Sequence, residues 1–142
     1  MKALCSLLFL LCCTQVIGQE WESDFVVAQE KAQQENKKLL LVFSGSDWCI
    51  PCIRLEKEVW ENDTFLAYAM EKLILYRADF PKRKKNQLPA TLAAKNQALA
   101  EEFNPKGYFP WVVVFEAKGK AIGTFVYTGS PVEDYIKTIT DL

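Results

Sequence analysis

Histidine is absent from this sequence of 142 residues. Without an imidazole, the chain cannot build a serine–histidine or cysteine–histidine nucleophile pair, and it lacks the commonest side-chain ligand of metal ions. An excess of charge of one sign is also missing, since 17 basic residues stand against 18 acidic residues. The sequence therefore gives no indication of a nucleic-acid partner or of binding to an anionic membrane.

Long apolar stretches are few, and the first one has the features of an export signal. Lys2 precedes an apolar stretch over residues 3–13, and residues 16–18 (Val-Ile-Gly) suit signal peptidase. The apolar stretch is shorter than the roughly 20 residues that a membrane-spanning helix needs. We therefore predict a removable signal peptide at residues 1–18 and one mature domain at residues 19–142.

The predicted signal places the mature domain outside the cytoplasm, in a periplasm or secreted. We expect this domain to be a monomer that does not span the membrane. Lipid anchoring at Cys12 or Cys13 is an alternative, although the small residue that normally precedes a lipidated cysteine is replaced by Leu11 or by Cys12 itself. An uncleaved anchor is a further alternative, and either would still place the domain outside the cytoplasm.

Cysteine is scarce in the predicted mature domain, because only Cys49 and Cys52 lie beyond residue 18. A secreted scaffold held together by disulfides would carry several spaced pairs. Two cysteines without histidine do not supply a structural zinc site, and no cofactor motif is present, so we predict no metal and no cofactor. The fold must then depend on its apolar core, which leaves the cysteine pair free for chemistry.

The order of apolar patterns along the chain predicts one α/β domain without repeats. Apolar residues at spacings of three and four, beginning with Trp21, predict a first helix over about residues 24–35. The remaining predicted elements are a strand at 39–43, a helix opened by Cys49, a helical stretch at 64–72, strands at 73–78, 111–115 and 121–127, a helix ending near 103, and a last helix after residue 130. For this last helix we predict Ser130 as the N-cap, Pro131 at the first helical position and Glu133 as the carboxylate of a capping box.

The position of the cysteine pair suits thiol-disulfide exchange. Such a centre needs two thiols within bonding distance, one of them exposed and ionised at neutral pH and the other able to resolve a mixed disulfide. At a helix start, the dipole and unpaired amides favour a thiolate on the first cysteine, while the second lies half a turn further in and partly covered. We therefore predict Cys49 as the nucleophile and Cys52 as the resolving thiol, with Asp47 as the candidate N-cap of their helix.

A basic segment lies between two prolines at residues 81–89, and it contains four consecutive cations at residues 82–85. Its composition predicts a solvated loop. A docking surface for an acidic partner is the alternative interpretation.

The run Trp-Cys-Ile-Pro-Cys at residues 48–52, followed by Phe109-Pro110 and an apolar strand, resembles the thioredoxin superfamily. Residues 43–48 before the motif, and the acidic helix at 54–59 after it, are similar to an exported bacterial thioredoxin-like group that includes the C-terminal domain of DsbD. The resemblance implies a thioredoxin fold, with a central mixed β-sheet flanked by helices and ending in a β-hairpin and a helix.

The resemblance also implies roles for residues near the cysteines. Pro110 is expected to be cis and to face the cysteine pair, where its preceding backbone would pair with the substrate chain; a trans proline in a loop is the alternative. Trp48 and Phe109 are expected to supply apolar surface for substrate, although ordinary packing residues would look the same in sequence.

One position departs from the superfamily pattern. Thioredoxin has a buried aspartate six residues before its first cysteine, where it helps to move the proton of the resolving thiol, and this chain has Phe43 there. Glu56, one helical turn after Cys52, matches a glutamate of the DsbD domain and is the candidate replacement in a proton relay. The alternative is a surface charge paired with a neighbouring lysine.

These features predict an exported thiol-disulfide oxidoreductase that mainly reduces disulfides in protein substrates and receives electrons from a thiol donor protein. The absence of a histidine between the cysteines favours a reducing or intermediate potential. A disulfide isomerase or oxidase with the same site is one alternative. A thioredoxin-fold module that binds clients and keeps a static disulfide is another.

Overall fold

The computed structural model describes residues 19–142, so the predicted signal peptide lies outside the described residues. Within them, a five-stranded sheet has the spatial order β1-β3-β2-β4-β5. The strands are β1 (Trp21–Glu22), β2 (Lys38–Ser44), β3 (Leu73–Asp79), β4 (Trp111–Phe115) and β5 (Ala121–Phe125). The first three are mutually parallel, while β4 and β5 run antiparallel to their neighbours, which confirms the predicted mixed sheet with its C-terminal hairpin.

Helices cover both faces of this sheet. They are α1 (Phe25–Glu35), α2 (Ile50–Leu55), α3 (Asp63–Lys72), α4 (Ala90–Phe103) and α5 (Val132–Asp141). One core cluster joins the sheet to α2, α3 and α5, and the other joins it to α1 and α4. No helix between residues 19 and 142 is long and apolar enough to cross a bilayer.

The central strand β2 explains the uninterrupted apolar run in the sequence. Leu40 and Val42 point into the first cluster, whereas Leu39, Leu41 and Phe43 point into the second. Successive side chains of a strand alternate between faces, so a strand covered on both faces needs apolar residues at every position. Its C-terminal end therefore leads from a rigid interior directly to the cysteine motif.

The predicted bounds of the first helix, residues 24–35, agree with α1 at Phe25–Glu35, but one residue of the predicted helical face lies outside the helix. Trp21 belongs to β1, where it pairs with Leu75 of β3, and it is not part of the helix. Asp24 ends the extended segment, because its carboxylate accepts hydrogen bonds from the amides of Val26 and Val27 and caps α1. The position of Trp21 in the sequence fits the spacing of a helical face, but its indole packs edge-on against the ring of Trp60 in the core.

The predicted capping box of the last helix is wrong. Helix α5 begins at Val132, and its N-cap is Pro131, which has no side-chain cap. The Ser130 hydroxyl instead lies 2.9 Å from the Thr128 hydroxyl. Local hydrogen bonding within the preceding loop has taken the side chain away from the helix.

Candidate active site

The cysteine pair lies in the turn that connects β2 to α2. The Cys49 amide donates to the Gly45 carbonyl at 2.9 Å, and Cys49 then serves as the N-cap of α2. Its Sγ accepts a hydrogen bond from the Cys52 amide at 3.3 Å. The two residues form a disulfide with their Cα atoms 5.2 Å apart. The prediction that the motif opens a helix is confirmed, but the cap is Cys49 itself and not Asp47.

Exposure does not distinguish the two cysteines in this disulfide form. Cys49 is 5% exposed and Cys52 is 4% exposed, so the expectation of an exposed first cysteine is wrong for this state. Between them, Ile50 is 63% exposed and presents an apolar side chain to solvent. The cysteines differ instead in electrostatic position, because a sulfur at the helix cap receives an unpaired amide and the positive end of the helix dipole.

Asp47 has a different function from the one predicted. Its carboxylate accepts hydrogen bonds at 2.9 Å from the backbone amides of Lys82 and Arg83 and from the side-chain amide of Asn86. These donors, with the Lys82 amide contributing most, hold the pKa of Asp47 below its ordinary value. The basic segment is thus exposed, as predicted, but it is attached at three points to the turn that carries the cysteines.

Trp48 is fixed beside the disulfide by contacts on several sides. Its indole N–H donates to the Phe80 carbonyl at 2.7 Å, and its ring meets Phe109 edge-on with centroids 5.4 Å apart. The Lys82 ammonium lies 3.9 Å from the centroid of the indole. On the remaining side is Gly45, where an added Cβ would lie 2.6 Å from two atoms of the indole. Glycine is required at residue 45 because the ring occupies the space of a side chain.

A groove of about 700 Å³ opens next to Trp48. Its wall is mostly apolar, and one side is formed by the exposed small residues Ala93 and Ala94 of α4. The other lining residues are Trp48, Asp79, Phe80, Pro81, Lys82, Gln87, Leu88, Gln97 and Phe109. Two predicted substrate residues, Trp48 and Phe109, therefore share one surface.

The Phe109–Pro110 peptide bond is cis, as the resemblance implies. Pro110 is buried and directly precedes β4, where Trp111 pairs with Phe43 of β2. This register places the proline at the end of the sheet from which the cysteine turn leaves.

A second, smaller cavity of about 190 Å³ contains Cys52 and Glu56 together. Glu56 forms an ion pair with Arg77 of β3, so its partner is not the neighbouring lysine of the alternative interpretation. The Arg77 guanidinium in turn lies 4.2 Å from the centroid of the Trp21 ring. The position where thioredoxin has its aspartate is occupied here by Phe43, which is fully buried and supplies no carboxylate.

The helix of the cysteines continues as a π-helical turn over Glu56–Trp60, which the sequence analysis did not predict. The Glu61 amide donates to the Glu56 carbonyl, five residues back, at 2.9 Å. The extra residue in the turn allows both Val59 and Trp60 to be buried, at 0% and 4% exposure. Two adjacent apolar residues after a helical pattern were the available signal. Among residues 19–142, no three cysteine or acidic side chains are grouped so as to hold a metal ion.

Fold and site together define the class of protein. Residues 20–117 match the family model described as thioredoxin-like, and the chain belongs to this family. Its mixed sheet, flanking helices, cysteine pair at a helix start and cis-proline before β4 are the features that the resemblance implied.

Particular relatives narrow this class. The chain is 35% identical to the disulfide bond reductase DsbH of Chlamydia pneumoniae over 103 residues, which are 72% of this chain and 60% of DsbH. A solved structure of a DsbH oxidoreductase superposes with a TM-score of 0.79 at 27% identity, covering 88% of this chain and 84% of that one. The oxidised C-terminal domain of DsbD from Neisseria meningitidis shares the fold, with a TM-score of 0.55 at 18% identity over 86% of this chain and 98% of that one.

Proposed function

We propose that this chain is an exported thiol-disulfide oxidoreductase that reduces disulfides in protein substrates. The observation that carries the proposal is the sulfur of Cys49 at the cap of α2, bonded to Cys52 and accepting its amide. The same amide and helix dipole would stabilise a thiolate when the bond is open. The reducing direction is supported by the similarity to a protein named as a disulfide bond reductase.

The reaction transfers two electrons from the protein to the substrate, and the two substrate sulfurs take up one proton released by Cys52 and one from solvent. The Cys49 thiolate attacks one sulfur of the substrate disulfide, and the other substrate sulfur leaves as a thiolate that takes up a proton. The Cys52 sulfur, after losing its proton, then attacks Cys49 in the mixed disulfide. The second substrate thiolate is released and protonated, and the Cys49–Cys52 disulfide remains. A dithiol protein must then return two electrons to the pair.

Glu56 is our candidate for accepting the proton of Cys52. This assignment is supported by the cavity that Glu56 and Cys52 both line, and by the phenylalanine at residue 43, where thioredoxin has its aspartate. The ion pair with Arg77 holds the Glu56 carboxylate at that cavity. In this proposal Trp48, Phe109 and Pro110 position the substrate chain beside Cys49, a role supported by the contact between the two aromatic rings and by the cis bond.

A redox titration combined with trapping tests this function. The mature chain is equilibrated with glutathione buffers and assayed for insulin reduction, and Cys52→Ala is used to capture mixed disulfides through Cys49. A reducing potential, insulin reduction and captured substrates are expected. A potential near that of strong oxidants would instead indicate an oxidase or isomerase, and an inert disulfide would indicate a binding module.

Export as a periplasmic or secreted monomer is part of the proposal. The export is supported by the signal-like composition of residues 1–18. N-terminal sequencing of the protein recovered from a periplasmic or secreted fraction should begin at Gln19, and recovery of an acylated protein beginning at Cys12 or Cys13 would establish a lipid anchor instead.

A further inference from the structure

The groove next to Trp48 and the basic segment form one continuous surface. The groove is lined by Trp48, Phe109 and the small residues of α4, and Lys82 belongs both to its lining and to the basic segment. Ile50, 63% exposed, and Tyr108, 50% exposed, add apolar side chains next to Cys49 and Phe109 in the chain. Exposed apolar surface concentrated beside a reactive group is typical of a site that binds another molecule.

The four cations at residues 82–85 are all exposed. In the part of the chain from residue 19 onward, none of them takes part in an ion pair. The nearby carboxylates are already engaged. Asp47 binds the backbone of the segment, and Asp79 accepts hydrogen bonds from the amide and hydroxyl of Ser46. The segment therefore presents a net positive charge, offset only in part by Asp47, and is attached to the turn that carries the cysteines.

We propose that this surface selects protein disulfides whose flanking sequence is apolar and acidic. A leucine-sized side chain of the extended substrate would occupy the groove between Trp48 and α4. Carboxylates on the same segment would lie against the cations at residues 82–85, of which Lys82 lines the groove and contacts the Trp48 ring. This inference rests on the proposed function and adds to it the chemical class of the substrate.

Electrostatic attraction of this kind acts mainly on the rate of encounter and on partner selection, and it weakens as salt is added. Exposed charge pairs individually contribute little, so replacing two lysines by two glutamates on a flexible peptide should change the rate by about tenfold in total at low salt. The apolar groove should act independently of salt.

The main experiment measures single-turnover reduction by the pre-reduced mature chain. Three peptide disulfides are compared that differ only at two positions flanking the cysteine, which are glutamate, glutamine or lysine. We expect the glutamate peptide to react about tenfold faster than the lysine peptide at low salt, with glutamine between them. At about 0.5 M salt, the difference should shrink to less than about twofold. Equal rates for all three peptides at low salt would overturn the proposal.

Charge reversal localises the effect. The double substitution Lys82→Glu with Lys84→Glu leaves residues 82–85 with two acidic and two basic side chains, so it should abolish the preference for the glutamate peptide over the lysine peptide. The matched control is Lys118→Glu with Lys120→Glu in the exposed turn between β4 and β5, at the opposite end of β4 from Pro110. This control should keep the original preference. Retention of the preference in Lys82→Glu with Lys84→Glu, or an equal loss of it in both double variants, would refute the assignment to the basic segment.

The groove is tested by filling it. Ala94→Trp should remove most of the advantage, about tenfold, that a peptide with a flanking leucine has over its serine counterpart. Ala98 lies on the same helix, is exposed and does not line the groove, so the control variant Ala98→Trp should retain the advantage of the leucine peptide. Loss of the advantage in both variants, or in neither, would contradict the groove as the leucine site.

A binding measurement separates this inference from the proposed function. The chain with Cys49→Ser and Cys52→Ser is titrated with fluorescent peptides in which serine replaces cysteine, and anisotropy is recorded. Tighter binding of the glutamate peptide than of the lysine peptide supports the docking surface even if no disulfide is reduced. Equal binding contradicts it even if reduction is fast.

Discussion

Gly45→Ala tests how the active-site tryptophan is held. Residue 45 has no positive φ, so its backbone conformation is one that alanine adopts without strain. The obstacle is the indole of Trp48, since a Cβ at residue 45 would lie 2.6 Å from its Nε1 and Cζ2 atoms. Non-bonded atoms do not approach so closely, and we expect the ring to be displaced.

The contacts of Trp48 give the magnitude of the effect. Displacement would break the hydrogen bond to the Phe80 carbonyl, which contributes about 1 kcal/mol, and the edge contact with Phe109, which contributes about 1 kcal/mol. Loss of the Lys82 cation from the ring adds about 0.5 kcal/mol. Restricting the unfolded chain with alanine offsets about 0.5 kcal/mol of this. The net decrease in the free energy of unfolding should be about 2 kcal/mol.

A double-mutant cycle provides the control. Without the indole, in a Trp48→Ala background, the added methyl group has space, and Gly45→Ala should be neutral or stabilising by up to about 1 kcal/mol. Urea denaturation of the oxidised protein, followed by far-ultraviolet circular dichroism, measures all four free energies. The reasoning is refuted if Gly45→Ala costs the same free energy in both backgrounds.

Three further substitutions test other parts of the site and core. Glu56→Gln should flatten the pH dependence of disulfide reduction, because it removes one of the two carboxylates, with Glu61, that line the cavity of Cys52; an unchanged pH profile in stopped-flow measurements would eliminate the relay through Glu56. Asp47→Ala should free the basic segment, seen as faster exchange of the Lys82 amide by NMR. In the native chain, the hydrogen bonds to Asp47 lower the pKa of its carboxyl group. The stabilisation of the folded state by this carboxylate is therefore complete above the ordinary aspartate pKa of about 3.9, and it is lost as the pH falls through the lower pKa of the folded state. Asn96→Ala should lower the free energy of unfolding by about 2 kcal/mol, since it leaves the buried Tyr76 hydroxyl without its acceptor, and the loss should be smaller in a Tyr76→Phe background.

The parts of the fold that could be predicted are those that depend on residues close together in the sequence. The five apolar residues of β2 predict a strand covered on both faces, and the cysteine motif predicts the helix start that follows it. The two-residue strand β1 could not be predicted, because its existence depends on pairing with β3, more than fifty residues later in the chain. The spacing of Trp21 from the residues after it imitates a helical face.

The active site likewise contains some features that depend on local sequence and others that depend on contacts between distant residues. Cys49 and Cys52 are identified by three residues of spacing and by their position after a strand. The partners of Asp47 lie 35 to 39 residues away, and Arg77 lies 21 residues from Glu56. The sequence predicted that the basic segment is exposed, but it could not show that the segment is attached to Asp47 or that Glu56 pairs with Arg77, because only the folded sheet creates these contacts.

The most direct test of the account is the reactivity of the reduced cysteine pair. The reduced mature chain is alkylated with iodoacetamide at slightly acidic to neutral pH, and mass spectrometry locates the modified residue. We predict that Cys49 reacts at least about tenfold faster than free glutathione and much faster than Cys52, because the helix start stabilises its thiolate. Reaction of Cys49 no faster than glutathione, or preferential reaction of Cys52, would contradict the central claim that Cys49 is the nucleophile.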